Sequence, residues 1–133
     1  MELSRAEILK WESDYSNTPQ ASRGPLSVEF AWRVRKGDVS ENSLIWLLNS
    51  KSDAVRSAIS WAVFECMTPG KSLDFLCREG LLDANVLVRH YSIMALVRSK
   101  HIDDDEKTLR KTIEKALRDI TEGNTTASWP PND

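Results

Sequence analysis

The sequence predicts an all-α fold: a short stack of helical hairpins. Apolar residues recur at three- and four-residue spacing, as on one face of a helix, and not in the alternation typical of strands. Good helix formers make up most of the middle of the chain, and the whole sequence has only five glycines and five prolines. The middle of the chain also repeats itself at a fixed period, which is typical of stacked helical units.

The first helix is predicted from its N-terminal signal. Ser4 is followed three residues later by Glu7, which is the spacing of a capping box that satisfies free N–H groups at a helix start. We therefore expect a helix over residues 5–15. The polar segment that follows, residues 16–23, is predicted to be a loop.

The second and third helices are bracketed by breakers and caps. Pro25 suits the first turn of a helix and Gly37 suits the left-handed residue just past its end. The expected helix covers residues 25–36. Ser40 then caps a short helix that closes after Leu48.

Four more helices are predicted downstream. The segment Thr68-Pro69-Gly70 separates two of them, and the acidic cluster Asp103, Asp104 and Asp105 suits the N-terminus of the last. Residues 1–123 are expected to form one repeat domain, and residues 124–133 a flexible tail. The four helices are expected over residues 53–66, 73–81, 86–98 and 106–121.

The internal repeat has a period of 33 residues. Laying residues 44–66 on residues 73–98 pairs Arg56 with Arg89, and the apolar positions of the second helices then coincide. A further step of 33 places Arg23 under Arg56, although this first unit is degenerate. A single hairpin cannot bury its apolar stripe alone, so several must stack.

The segment Asp53-Ala54-Val55-Arg56-Ser57-Ala58 resembles the start of the second helix of a HEAT repeat. The second copy departs from that pattern, because Tyr91 stands where a small alanine is expected. The resemblance implies a short right-handed stack of about three HEAT-like helical hairpins, with capping N- and C-terminal helices. It also implies a concave binding face, and a ladder in which Arg56 and Arg89 donate to turn carbonyls and to acids such as Asp53. The alternative is that both arginines grip acidic groups of a partner.

The large apolar residues pose a choice between core and interface. On the fourth helix, Trp61 and Phe64 fall outside the apolar arc and either pack on a neighbouring hairpin or form a binding patch. Trp32 and Trp46 are predicted to belong to the core. The predicted core arc of the fourth helix consists of Val55, Ala58, Ile59, Ala62, Val63 and Cys66.

No catalytic, metal-ligating or cofactor-binding residues are predicted, because His90 and His101 have no nucleophile motif beside them and the glycine loops that cradle phosphates are absent. Cys66 and Cys77 are expected to be reduced, half-buried thiols. The acidic cluster is a candidate contact for a basic partner. The candidate partner-binding residues are Arg56, Trp61, Phe64, Arg89, Asp103, Asp104 and Asp105.

Charge and targeting signals narrow the function. The net charge of −2 and the lack of a basic run disfavour avid nucleic-acid binding, and no secretion or membrane signal is visible, so we expect a cytoplasmic protein. The leading hypothesis is a non-catalytic protein-binding module, specifically a small bacterial immunity or antitoxin protein that neutralises a basic toxin domain. An adaptor or assembly subunit is one alternative. The other is a HEAT-like nucleic-acid binder, whose basic edge would consist of Arg33, Arg35, Lys36, Arg98, Lys100 and His101.

Overall fold

The computed structural model describes residues 1–66 and 71–99, and the secondary-structure elements in these ranges are all helices, with no strands. The prediction of an all-α fold is therefore confirmed for the described residues. The predicted seventh helix, the cluster Asp103, Asp104 and Asp105, and the tail lie outside them. The α-helices are α1 (Arg5–Asn17), α2 (Gly24–Arg35), α3 (Glu41–Leu48), α4 (Asp53–Cys66), α5 (Lys71–Gly80) and α6 (Val86–Ser99).

The caps that were predicted from sequence are formed. The backbone N–H of Glu7 donates to Ser4 Oγ at 3.2 Å, and the N–H of Ser4 donates to the Glu7 carboxylate at 3.0 Å. The backbone hydrogen bond from Ser4 lowers the pKa of Glu7. Gly37 follows α2 with a φ of 81°, and Ser40 Oγ accepts from the N–H of Ser43 at the start of α3.

The first two helices pack through aromatic and hydroxyl groups. The ring of Trp11 on α1 lies 4.3 Å from that of Phe30 on α2, and Tyr15 Oη lies 2.9 Å from Ser27 Oγ. The segment between the helices contains a short 3-10 helix, Gln20–Ser22. The predicted loop over residues 16–23 is therefore wrong in part, because α1 continues to Asn17 and the 3-10 helix occupies residues 20–22.

Arg23, just before α2, is only 4% exposed. Its Nε donates to the carbonyl of Tyr15 at 3.1 Å and its Nη2 donates to that of Ser16 at 3.1 Å. The last carbonyls of a helix have no partner within the helix. The guanidinium of Arg23 therefore satisfies the C-terminal end of α1 and ties it to α2.

Helix α4 is the centre of the described fold, since it contacts α1, α2, α3 and α6. Five of the six residues of its predicted core arc are buried, and the sixth, Cys66, is half-buried. Small residues off that arc are buried as well, because helices pack on several sides of α4. The additional buried residues of α4 are Ala54, Ser57 and Ser60.

Helices α5 and α6 approach closely at Gly80. A Cβ atom at this position would overlap Ser92 Oγ and lie 3.0 Å from Ser92 Cβ, so the absence of a side chain permits the contact. Asn85 precedes α6 and its side-chain oxygen accepts from the backbone N–H groups of Leu87 and Val88. That pairing satisfies the first turn of α6.

Candidate protein-binding surface

Arg56, a predicted candidate for partner binding, makes a dense set of contacts inside the chain. Its Nη1 donates to the carbonyl of Ser50 at 2.8 Å, its Nε to Asp83 at 3.0 Å, and its Nη2 to both Asp83 and Asp53. Burial alone lowers the pKa of Arg56, but the hydrogen bonds and charges of Asp83 and Asp53 outweigh it and the pKa is raised. The expected bonds to a turn carbonyl and to Asp53 are therefore confirmed.

Arg89, 33 residues after Arg56, also donates to backbone carbonyls. Its Nη1 donates to the carbonyls of Asp83 at 2.7 Å and Ala84 at 3.0 Å. Residues 23, 56 and 89 are 33 apart (56 − 23 and 89 − 56), and each arginine donates to carbonyls at or just after the end of the preceding helix. Contact of Arg56 or Arg89 with a partner stays a prediction.

Trp61 and Phe64 are half-buried and both pack against the core. They contact different neighbours of α4. Trp61 lines a groove between α4 and α2, whereas the ring of Phe64 stacks on Tyr91 of α6 with centroids 6.4 Å apart. The structure thus divides the predicted patch, with Trp61 on the α2 side and Phe64 on the α6 side.

The prediction that Trp32 belongs to the core is wrong. Its side chain is 56% exposed, and that of Val28, one turn earlier on α2, is 50% exposed. The buried arc of α2 runs through Ser27, Phe30, Ala31 and Val34. Positions 28 and 32 each follow a buried residue by about 100°, so they form a second apolar stripe beside the first.

Trp46 agrees better with its predicted place in the core. It is half-buried and packs against the core cluster, and the guanidinium of Arg5 lies 5.0 Å from the centroid of its ring. A cation over the face of an indole is an attractive arrangement. Trp46 therefore joins α3 to the start of α1.

A groove of about 240 Å³ runs between α2 and α4. Trp32 stands at its rim, and the half-buried Cys66 donates from its thiol to the carbonyl of Ala31 at 3.3 Å. The residues that line the groove are Val28, Ala31, Trp32 and Arg35 of α2 and Trp61, Glu65 and Cys66 of α4.

Opposite charges face each other across this groove. Arg35 lies in the last turn of α2 and Glu65 in the last turn of α4; both are exposed, and no ion pair within the described part of the chain holds either. Burial raises the pKa of the Cys66 thiol, while the charge of Arg35 opposes this rise and that of Glu65 adds to it. Both charged side chains therefore line the groove within electrostatic range of the Cys66 thiol.

The stripe on α2 also borders a second, more open hollow of about 810 Å³. Lys36 Nζ lies 5.9 Å from the centroid of the Trp32 ring, and the Trp32 side chain is still 56% exposed. Trp32 therefore borders both the groove and this hollow. The hollow is lined by Pro25, Val28, Glu29, Trp32, Arg33 and Lys36.

The basic edge considered for nucleic-acid binding is only partly described. Arg33 Nε lies 3.0 Å from the carboxylate of Asp38, so its charge is paired within the chain. Arg35 and Lys36 are exposed. The side chain of Arg98, together with Lys100 and His101, lies outside what the structure describes.

The cysteine and histidine side chains of the described ranges do not form a metal site there. No group of three or more His, Cys, Asp and Glu side chains there could hold a metal ion, and no helix there is long and apolar enough to cross a membrane. Both cysteines are reduced; Cys77 is buried and Cys66 half-buried. The ring of His90 packs edge-on against Tyr91.

Comparisons with protein-family models, with curated proteins and with solved structures found no match.

The groove was not predicted from the sequence, although the sequence contains a signal for it. The 33-residue register places Val28, Trp61 and Met94 at equivalent positions (28 + 33 and 61 + 33), and all three are apolar and at least partly exposed. An apolar row at equivalent positions that stays partly exposed indicates a surface for binding.

Proposed function

We propose that this chain is a non-catalytic protein-binding module that holds its partner in the groove between α2 and α4. The observation that carries the proposal is the exposed side chain of Trp32, which lies beside Val28 at the rim of that groove. Large aromatic side chains dominate the energetics of protein interfaces, and clustered exposed apolar residues mark interaction sites. The half-buried Trp61 on the opposite wall supplies a rigid support for the partner's side chain.

The module is proposed to be a stack of three HEAT-like hairpins, α1 with α2, α3 with α4, and α5 with α6. The contacts of α4 with α2 and α6, and the equivalent roles of Arg23, Arg56 and Arg89, support it. In this arrangement the second helices of the hairpins share one face. The groove would then be a section of a longer binding surface.

Within this class, we propose a small bacterial immunity or antitoxin protein that neutralises a toxin domain. The net charge of −2 favours fast association with a basic partner, and the exposed carboxylates of Glu29 and Glu65 border the hollow and the groove. Arg35 and Lys36 add a requirement: the partner must also present a carboxylate near the end of α2.

The test uses the reading frame directly upstream of the one that encodes this chain, where an immunity protein's toxin is expected. The upstream product should arrest growth when it is expressed alone, and co-expression of this chain should restore growth. Trp32→Glu should abolish the rescue, because it places a charge in the apolar contact. Leu82→Glu is the matched control, since Leu82 is 79% exposed and does not line the groove.

Two outcomes would count against the proposal. If the upstream product is harmless, the chain is not its immunity protein. If that product still binds the chain directly, the chain is nevertheless a protein-binding module. Rescue by Trp32→Glu as complete as that by Leu82→Glu would show that the groove is not the binding surface. Circular dichroism of both variants checks that each keeps its helical fold.

A further inference from the structure

We infer that the groove between α2 and α4 also pairs with the same groove of a second copy of this chain, which gives a two-fold symmetric dimer. The inference goes beyond the proposed function and does not rest on it, because it needs no other protein. Its basis is that the two walls of the groove carry opposite charges, and that apolar side chains on the α2 wall are exposed. A surface of that kind can bind itself across a two-fold axis.

The first support for the dimer is the pair of opposite charges on the two walls of the groove. Arg35 on the α2 wall and Glu65 on the α4 wall line one groove, and each is exposed and outside every ion pair of the described residues. A two-fold axis that runs along the groove lays α2 of each copy over α4 of the other. Arg35 then meets Glu65 of the second copy, and the same pair forms again on the other side of the axis.

The second support for the dimer is the exposed apolar surface of the groove. The same axis that brings the charges together places Trp32 of each copy over the α4 wall of the other, where Trp61 lies. Trp32 and Val28 are half exposed or more in the single chain, so their burial removes apolar surface from water. The apolar centre with a charged rim is the usual anatomy of a protein interface.

The size of the groove determines how strongly we expect the two copies to associate. Few residues take part, so the contact falls in the class of small, reversible interfaces. Because the ion pairs lie at an exposed rim, added salt should weaken the dimer. The dimer and a partner held in the groove would exclude each other.

The test is a charge exchange, read by sedimentation equilibrium over a wide range of protein concentration. Arg35→Glu places two carboxylates opposite each other at both contacts, and Glu65→Arg places two cations there. Each variant alone should self-associate at least about tenfold more weakly than the wild-type chain. An equimolar mixture of the two variants should regain association, because both ion pairs form again in the heterodimer.

Matched controls reverse charges outside the groove. Lys51 and Glu2 are exposed and do not line it, so Lys51→Glu and Glu2→Arg should leave self-association unchanged. A wild-type chain that stays monomeric at every concentration would overturn the inference and leave the groove to a different protein. Single reversals at 35 and 65 that dimerise like the wild type, or a mixture that does not recover, would overturn it as well.

Discussion

The guanidinium of Arg56 meets the carboxylate of Asp83 as a fork, with Nε 3.0 Å from Oδ2 and Nη2 3.2 Å from Oδ1. The two residues are 27 positions apart in the chain. Arg56 belongs to the first turn of α4, whereas Asp83 lies in the turn between α5 and α6. The pair therefore joins the centre of the fold to the last described pair of helices.

Replacing Arg56 should weaken the fold, and lysine should not restore it. Arg56→Ala removes charge-assisted hydrogen bonds at a side chain that is 16% exposed, and we expect a loss of about 2 kcal/mol in the free energy of unfolding. Arg56→Lys keeps the charge but cannot form the fork, so it should recover only a fraction of that loss. Urea unfolding measures both. Lysine as stable as arginine would mean that charge alone matters here.

Gly80 should be intolerant of any side chain. A Cβ atom there meets Ser92 of α6, so Gly80→Ala forces the Ser92 side chain or the two helices to shift, at a cost of about 1 to 3 kcal/mol. Adding Ser92→Gly removes the obstructing side chain and should recover some of the loss. A double-mutant cycle by thermal unfolding measures this coupling, and strictly additive effects would show that the two residues do not touch.

Local signals in the sequence predicted the helix boundaries well. The Ser4–Glu7 capping box and the left-handed Gly37 depend on residues within a few positions of one another, so the sequence contains all of their geometry. The third helix was anticipated for the same reason, from Ser40. Such features need no knowledge of how the helices pack.

Features that depend on packing were harder to predict. Trp32 lies beside an arc that a neighbouring helix covers, and spacing along α2 alone does not say where that coverage ends. The 33-residue alignment paired Arg23 with Arg56, but it did not identify the acceptors of Arg23. These are the carbonyls of Tyr15 and Ser16 in the last turn of α1. The structure was needed to place Arg35 opposite Glu65.

The two groove tryptophans should separate in their effect on stability. Trp61 packs against the core, so Trp61→Ala should cost about 2 kcal/mol of folding free energy, less than for a fully buried aromatic residue. Trp32→Ala should change stability by less than about 0.5 kcal/mol, because its ring is largely in solvent already. Chemical unfolding of both variants compares them. Equal losses would contradict the placement of Trp32 at the surface.

Cys66 should react slowly with alkylating agents near neutral pH. Burial raises the pKa of its thiol, so the reactive thiolate forms only at a higher pH than for an ordinary cysteine. Arg35→Glu replaces a charge that lowers this pKa and should shift the pH–rate profile further upward. Mass spectrometry follows Cys66 separately from the buried Cys77. An unshifted profile in Arg35→Glu would place Arg35 away from the groove.

Binding of a protein in the groove between α2 and α4 should depend on Trp32. Calorimetric titration with the polypeptide encoded directly upstream measures this, with the wild-type chain, Trp32→Ala and Leu82→Ala compared under one set of conditions. We expect Trp32→Ala to weaken binding by about 2 kcal/mol, or roughly 30-fold, as for an aromatic hot spot. Leu82→Ala, which removes an exposed apolar side chain outside the groove, should leave the affinity unchanged. Equal affinities for all three proteins would contradict this dependence on Trp32.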